Sequence, residues 1–281
     1  MKSKQRFAGK VIVVTGASSG IGAASARVFA AEGAQVVLVA RSAGPLERIA
    51  AEIQATGGKA RAMPTNVGDS RAAAALLDRV ASELGGIDVL VNNAGVNYRG
   101  AVEERNAEEL AEIIAVNLTA PILMSQAVLP HLRQRGGGAI VNVASLAGRV
   151  PLSYEATYAA SKWGLRGFSF SLAEELAGSD IRVSIVSPGP VDTGFIMSKL
   201  AEVPDVVFSQ PMSTAEQIAT LVVDSALDGE RERLPSRASG YLTTLAYLFP
   251  RLRQSMTPLF ERRGRVAKQK YIERVAGQTP R

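Results

Sequence analysis

The chain has 281 residues, which suits one large α/β domain or two small ones, and its hydrophobic fraction of 47% is enough to build a core. It contains no cysteine and one histidine, His131, which excludes disulfides, thiolate nucleophiles, zinc–sulfur sites and a histidine cluster for a metal. The net charge of +6 is uneven: residues 251–281 hold nine Lys or Arg against Glu261 and Glu273, a local +7 that leaves −1 on residues 1–250.

The N-terminal MKSKQRFAGK is charged and lacks the apolar core of a signal peptide, and no apolar run approaches the ~20 residues of a membrane span. An intracellular, cytoplasmic protein is expected. Residues 11–14 (VIVV) read as a buried strand. They lead into Thr15-Gly16-Ala17-Ser18-Ser19-Gly20-Ile21-Gly22 and a helix from about Ala23. Glycines let backbone N–H groups approach an anion closely, and a helix N-terminus adds its positive dipole end. A pyrophosphate is the natural occupant. The spacing G-x-x-x-G-x-G differs from the commoner G-x-G-x-x-G dinucleotide fingerprint, and alone it also fits a plain strand-to-helix connection.

A second strand over residues 36–39 ends in Ala40-Arg41-Ser42. NAD-selective folds place a carboxylate there to accept from the ribose hydroxyls. Here a guanidinium and a hydroxyl would suit a ribose phosphate, so NADP(H) is expected over NAD(H). Residues 89–91 form the next Val/Ile run and are followed by Asn92-Asn93-Ala94-Gly95. Asn117 sits in AVNLTAP, and His131 sits in LPHLRQRGGG, where a helix is ending and a solvated or dipole-stabilised imidazole is expected.

Residues 140–143 read as a strand with Ser145 at its C-terminal end, where ligands bind in open sheets. A helix is expected over residues 157–177. Tyr158 and Lys162 stand four apart on it and share a face. A lysine ammonium near a phenol favours the phenolate and lowers its pKa from about 10. Such a phenol can give a proton to a developing alkoxide or take one from an alcohol, and the Ser145 hydroxyl could hold the substrate oxygen. By itself the pair also describes an exposed lysine beside a half-buried tyrosine. Tyr154, with no lysine four residues on, reads as a substrate-side or core residue.

Residues 181–186 give the last clear strand, with a poorly written one expected near residues 231–234. Short apolar runs separated by helical stretches argue for a parallel sheet covered on both faces. The fold class is α/β: a single doubly wound Rossmann-type domain over residues 1–234, with a helical and basic C-terminal extension over residues 235–281. Residues 194–214 are loosely apolar and read as a mobile flap or short helices over the substrate. In the tail, Pro258 and Gly264 are expected to interrupt any single helix.

The glycine-rich turn, NNAG, Asn117, Ser145, Tyr158/Lys162 and Pro188-Gly189 appear in this order, and together they resemble the short-chain dehydrogenase/reductase family over roughly residues 8–230. The resemblance implies that Gly16, Ser18, Ser19, Gly20, Ile21 and Gly22 cradle a pyrophosphate and that Arg41 meets a 2′-phosphate, with Ser42 beside it. Asn66 and Val67 would edge the adenine, with Asn66 where the family usually has Asp. Asn93, Ala94 and Gly95 would line the cofactor, and NNAG would brace the sheet. Tyr158 would be the acid/base, Lys162 would hold the nicotinamide ribose and tune the tyrosine, and Ser145 would orient the carbonyl. Asn117 would anchor a relay water near Lys162. Pro188, Gly189, Val191 and Thr193 would contact the carboxamide.

The expected function is NADP(H)-dependent hydride transfer to or from a carbonyl or secondary alcohol. If the flap and YLTTLAYLF (residues 241–249) cover the site, the substrate is apolar: lipid-like, steroid-like or aromatic. A 3-oxoacyl-thioester reductase is the alternative within the class, and a non-catalytic NADP(H) sensor or scaffold is the alternative outside it. The resemblance implies a homodimer or homotetramer built on the Asn117 and Tyr158 helices. The tail packs on the body or a sister subunit, or meets a membrane surface. Nucleic acid is not expected, since no binding fold accompanies the charge, and no metal is expected.

Overall fold

The structure, a computed structural model, describes residues 5–278. The charged Met1–Lys4 segment and residues 279–281 of the tail lie outside the described residues. Strands and helices alternate as expected. The first half runs β1 (Val11–Thr15), α1 (Gly20–Ala31), β2 (Gln35–Val39), α2 (Ala43–Ala55), β3 (Lys59–Ala62), α3 (Ser70–Leu84) and β4 (Val89–Asn92). Then come α4 (Ala107–Ile114), α5 (Ala120–Gln134), β5 (Gly138–Val143), α6 (Ala156–Glu175) and β6 (Ile181–Val186). The chain finishes with β7 (Val191–Asp192), α7 (Gly194–Met197), β8 (Ser213–Thr214), α8 (Ala215–Asp228), β9 (Glu232–Arg233), α9 (Arg237–Leu248) and α10 (Pro250–Gln278).

Seven parallel strands form one sheet in the order β3-β2-β1-β4-β5-β6-β9. The unbroken apolar runs follow from this burial, because successive side chains enter opposite layers. Ile12 and Val14 pack with Val36, Leu38 and the α8 residues Val222 and Val223. Val11 and Val13 pack on the other face with Leu77 and Val80 of α3 and Met124 and Val128 of α5. Between the layers, Asn92 Nδ2 donates to Asn142 Oδ1 at 2.9 Å and Asn142 Nδ2 donates to Ser169 Oγ at 2.8 Å, tying β4, β5 and α6 together.

Two strands carry weak sequence signals for physical reasons. β3 (KARA) is the sheet edge with alternating exposure, so it needs no apolar run. β9 is held by Glu232, whose carboxylate is ion-paired to Arg149 and Arg166 and accepts from Ser187 Oγ at 2.8 Å. Burial works to raise the Glu232 pKa, but the hydrogen bonds from Arg166, Ser187 and Arg149 hold it below the usual carboxylate value. His131 stands in the last turn of α5 as expected. It is not solvated, however: Nε2 lies 3.0 Å from Asp78 Oδ1 and the side chain is 14% exposed.

Two further expectations are corrected. The continuous helical run Ala107–Gln134 is long and apolar enough to cross a membrane by composition, yet it packs as a core helix against α3 and the sheet. The tail is one helix, α10, despite Pro258 and Gly264. Pro258 is exposed, so the carbonyl that loses its donor faces water. Gly264 is buried where α10 crosses the short turn Asp205–Ser209, and a Cβ there would overlap the Asp205 carbonyl. Arg265 and Lys268 of α10 bind the Asp205 carboxylate at 3.1 and 3.3 Å. The flap therefore holds the tail in helical form.

Candidate active site

The glycine turn lies between the C-terminal end of β1 and the start of α1. Gly16 and Gly20 have φ of +66° and +53°, the left-handed region that favours glycine. A Cβ at Gly16 would sit 2.8 Å from Asn93 Nδ2, and one at Gly22 would overlap the Gly16 carbonyl. No acidic residue occupies the first turn of α1, and its N-cap, Ser19, makes no side-chain cap hydrogen bond. The cradle thus fits an anion at a helix N-terminus, with Gly16, Ser18, Ser19, Gly20 and Ile21 on the cavity wall and Gly22 packed behind them.

Asn93 fixes this turn to β4. Its N–H donates to Thr15 Oγ1 at 2.9 Å, and its Nδ2 donates to Thr15 O at 2.9 Å and Gly16 O at 3.3 Å. Ala94 and Gly95 continue the wall. Here, between β1 and β4, the strand order reverses, and an open sheet offers its ligand crevice at such a point.

The four residues expected at the adenosine end stand away from the large cavity's lining. Arg41 is 63% exposed along its side chain and pairs with Glu112 Oε1 at 2.9 Å. Ser42 is the N-cap residue of α2 and makes no side-chain cap bond. Asn66 Oδ1 accepts from the Gly68 N–H at 3.1 Å, and Val67 is buried in the layer that holds Val116.

Tyr158 and Lys162 lie one turn apart on α6, 9% and 4% exposed. Lys162 Nζ is 5.7 Å from the Tyr158 ring centroid and donates to Val143 O at 3.0 Å. Ser145 caps the short turn Leu146–Gly148, its Oγ accepting from the Ala147 N–H at 3.1 Å, and it shares the cavity wall with Tyr158. Asn117 sits in a π-helical turn, Ala115–Thr119. Its Oδ1 accepts from the Val96 N–H at 2.8 Å, and its Nδ2 donates to Val96 O at 2.9 Å and Ser161 Oγ at 3.2 Å. Asn117 and Lys162 flank Gly95: a Cβ there would be 3.4 Å from Asn117 Oδ1 and 3.8 Å from Lys162 Nζ.

The electrostatics differ from the sequence expectation. Lysine was expected to lower the phenol's pKa, yet the Tyr158 hydroxyl is pushed well above its ordinary value. Burial is the main cause and the Glu155 carboxylate adds to it, against a lowering hydrogen bond from Ser145 and the charge of Arg99. Burial also lowers the Lys162 amine to about 8.

Sequence reasoning missed the pair behind this field. Arg99 and Glu155 are 5% and 4% exposed and joined at 2.9 Å. Asn97 Nδ2 donates to Glu155 Oε2 at 2.8 Å, and Arg99 Nη1 donates to the flap carbonyl of Phe195 at 3.4 Å. Neither residue belongs to a motif, and a lone Arg or Glu reads as surface charge.

The glycine turn, Arg99, Ser145, Glu155, Tyr158 and Lys162 share a cavity of about 730 Å³, with Asn117 behind Gly95 and off its lining. Pro188, Gly189, Val191 and Thr193 carry its wall from β6 to the flap, and the Thr193 methyl would lie 3.2 Å from a Cβ on Gly20. Tyr154, 62% exposed, lines this cavity and is not in the core. The flap is short helices: α7 and the turns Leu200–Glu202 and Asp205–Ser209. Phe195 and Val206 of the flap, Leu242 and Leu245 of α9, Phe249, and Met256 of α10 form the outer wall. The flap and the YLTTLAYLF segment do cover the site, and α10 joins them.

Comparison with known proteins agrees with this geometry. The family described as short chain dehydrogenase matches residues 10–203. The ketoacyl reductase HetN of Nostoc sp. (strain PCC 7120) is 37% identical over 216 residues, 76% of this chain and 74% of that protein. The cis-4-hydroxycyclohexanecarboxylate dehydrogenase of Sinomonas cyclohexanicum is 38% identical over 231 residues, 79% of this chain and 92% of that protein. A crystal structure of a metagenomic short-chain oxidoreductase in complex with NADP superimposes with a TM-score of 0.71 at 38% identity, covering 82% of this chain and 97% of that one.

Proposed function

The chain belongs to the short-chain dehydrogenase family and is a nicotinamide-dependent oxidoreductase acting on CH–OH groups, and on that premise we propose that it interconverts an apolar carbonyl and its secondary alcohol with NADP(H). The observation that carries this reading is the meeting of Ser145, Tyr158, Lys162 and the glycine cradle in one cavity whose outer wall is apolar.

In this reading Gly16, Ser18, Ser19, Gly20, Ile21 and Gly22 hold the pyrophosphate on the α1 N-terminus. Arg41 and Ser42 hold the 2′-phosphate, and Asn66 and Val67 flank the adenine. Asn93, Ala94, Gly95, Pro188, Gly189, Val191 and Thr193 line the remainder, with Lys162 on the ribose. When bound, the nicotinamide supplies or accepts the hydride. Ser145 holds the substrate oxygen, and the neutral, buried Tyr158 hydroxyl gives its proton to that oxygen as negative charge develops. Lys162 supplies positive charge beside the phenol, and Asn117 fixes the Val96 loop against it. The apolar wall excludes water, which strengthens each of these interactions.

NADP(H) is supported by three things: the absent acid after β2, exposed Arg41, and the NADP held by one structural neighbour. The Arg41–Glu112 pair is solvent-exposed and so worth only about 0–1 kcal/mol, which leaves the guanidinium available. A thioester substrate carrying phosphate is the second reading, favoured by Arg253 and Arg265 on the cavity lining and by the ketoacyl reductase relative. We further assign residues 1–234 to the catalytic body and residues 235–281 to the extension. The assembly would be a homodimer or homotetramer on the helices of Asn117 and Tyr158, in the cytoplasm or on its membrane face.

The test is a carbonyl panel followed by NADPH and NADH absorbance, with Arg41→Asp in parallel. Apolar ketones should turn over, faster with NADPH. Arg41→Asp should cut the NADPH/NADH ratio by about tenfold or more, the worth of a charged hydrogen bond. An unchanged ratio contradicts the Arg41 role. Turnover of small charged sugars alone contradicts the apolar substrate. Binding of NADPH with no turnover across the panel favours a sensor or scaffold.

A further inference from the structure

The two helices that close the cavity leave their outer faces apolar and uncovered. On α9, Tyr241, Leu242, Leu245 and Leu248 are 48–72% exposed. On α10, Leu252, Met256, Leu259 and Val266 recur at i, i+4, i+7 and i+14, so they share one face, and they are 37–63% exposed. Exposed apolar residues scattered singly are ordinary, whereas a run along two successive helices at a cavity mouth marks an interaction surface. Leu242, Leu245, Leu252 and Met256 also line the cavity, so the apolar surface is continuous from the interior to the outside.

The charge at this face identifies its partner. Arg265, Lys268 and Arg274 are held by Asp205 and Asp192, but Arg251, Arg262, Arg263 and Lys270 make no ion pair among the described residues. Arg263 and Lys270 fall on the Leu252 stripe, at i+11 and i+18. The body carries −1 and the last 31 residues carry +7, so attraction to an anionic surface is confined to this end of the molecule. A symmetric contact with a second copy would set these unpaired cations against one another. A bilayer takes apolar side chains into its acyl region while the basic side chains reach its headgroups.

We propose that α9 and the outer face of α10 dock on an anionic lipid bilayer and that the substrate enters the cavity from that bilayer through the mouth these helices rim. This rests on the apolar-substrate reading above and names the phase that delivers the substrate.

The test is flotation of the full chain, without cofactor, on phosphatidylcholine vesicles with and without phosphatidylglycerol. The chain should float only with phosphatidylglycerol at low salt. Binding should fall by about tenfold or more in Arg262→Glu/Arg263→Glu, from the loss of surface attraction. It should fall similarly in Leu248→Asp/Leu259→Asp, from the loss of apolar insertion, and all four positions lie off the cavity lining. Turnover of a water-soluble carbonyl should be unchanged in both variants, and turnover of a vesicle-dissolved ketone should fall with binding. An unaltered unfolding midpoint shows that the variants fold. The proposal is overturned if the wild type stays out of anionic vesicles or the variants float like it. It is also overturned if the Leu248/Leu259 variant dissociates an oligomer by light scattering, or if an acidic carrier protein binds where vesicles do not. In the wild type, flotation absent with ketone turnover intact rejects docking alone. Flotation intact without ketone turnover rejects the substrate reading alone.

Discussion

Lys162 is an amine buried at 4% exposure that, among the described residues, has no carboxylate partner and donates to the Val143 carbonyl. Its pKa in the fold, about 8, lies below the ordinary 10.5, so folding penalises the charged form. That penalty is complete below about pH 8, declines as pH rises toward 10.5, and is absent above it. Lys162→Met should therefore stabilise the cofactor-free protein at pH 7, on the order of 1–2 kcal/mol after allowing for the orphaned Val143 carbonyl. Denaturant unfolding across pH checks this. A less stable Met variant at pH 7, or a gain that persists above pH 10.5, contradicts it. At this scale the sequence was informative where residues fall into motifs: Ser145, Tyr158 and Lys162 meet as their spacing implies. It was silent on Arg99 and Glu155, because nothing in NYRG or YEAT distinguishes a buried ion pair from two solvated charges. The raised pKa of Tyr158 is hidden from the sequence for the same reason, since burial is a property of the packed molecule.

Among the elements, α10 shows how packing overrides local preference. Proline costs about 3 kcal/mol and glycine about 1 kcal/mol in a helix interior, and both stand in it. Gly264 is required because the Asp205–Ser209 turn crosses at that point, which is a tertiary fact that no pattern in the tail reveals. The sign of one substitution follows. In a free helix Gly264→Ala would stabilise by about 1 kcal/mol. Against the Asp205 carbonyl it should destabilise by about 1–3 kcal/mol and loosen the cavity wall. Thermal unfolding together with KM for an apolar ketone measures both effects. A raised midpoint with unchanged KM would show that α10 does not dock there. β1, β2, β4, β5 and β6 were readable because each is buried on both faces, whereas β3 and β9, an edge and an ion-paired stub, offer no such run.

Across the whole molecule, the parallel sheet brings the ends of β1, β4, β5 and β6 to one crevice, and the flap, α9 and α10 roof it. The doubly wound body was legible because alternation of strand and helix leaves few topologies. The roof was legible only as apolar composition, and that α10 belongs to it emerges from the fold alone. The proposed function joins the two: a polar proton donor at the base of an apolar chamber. Single-turnover oxidation of bound NADPH by an apolar ketone, compared between wild type and Tyr158→Phe, decides whether that donor is Tyr158. The phenylalanine variant should lose about 10²–10⁴-fold in rate while NADPH affinity changes by no more than about threefold. A variant that reduces the ketone within about tenfold of wild type would contradict the assignment.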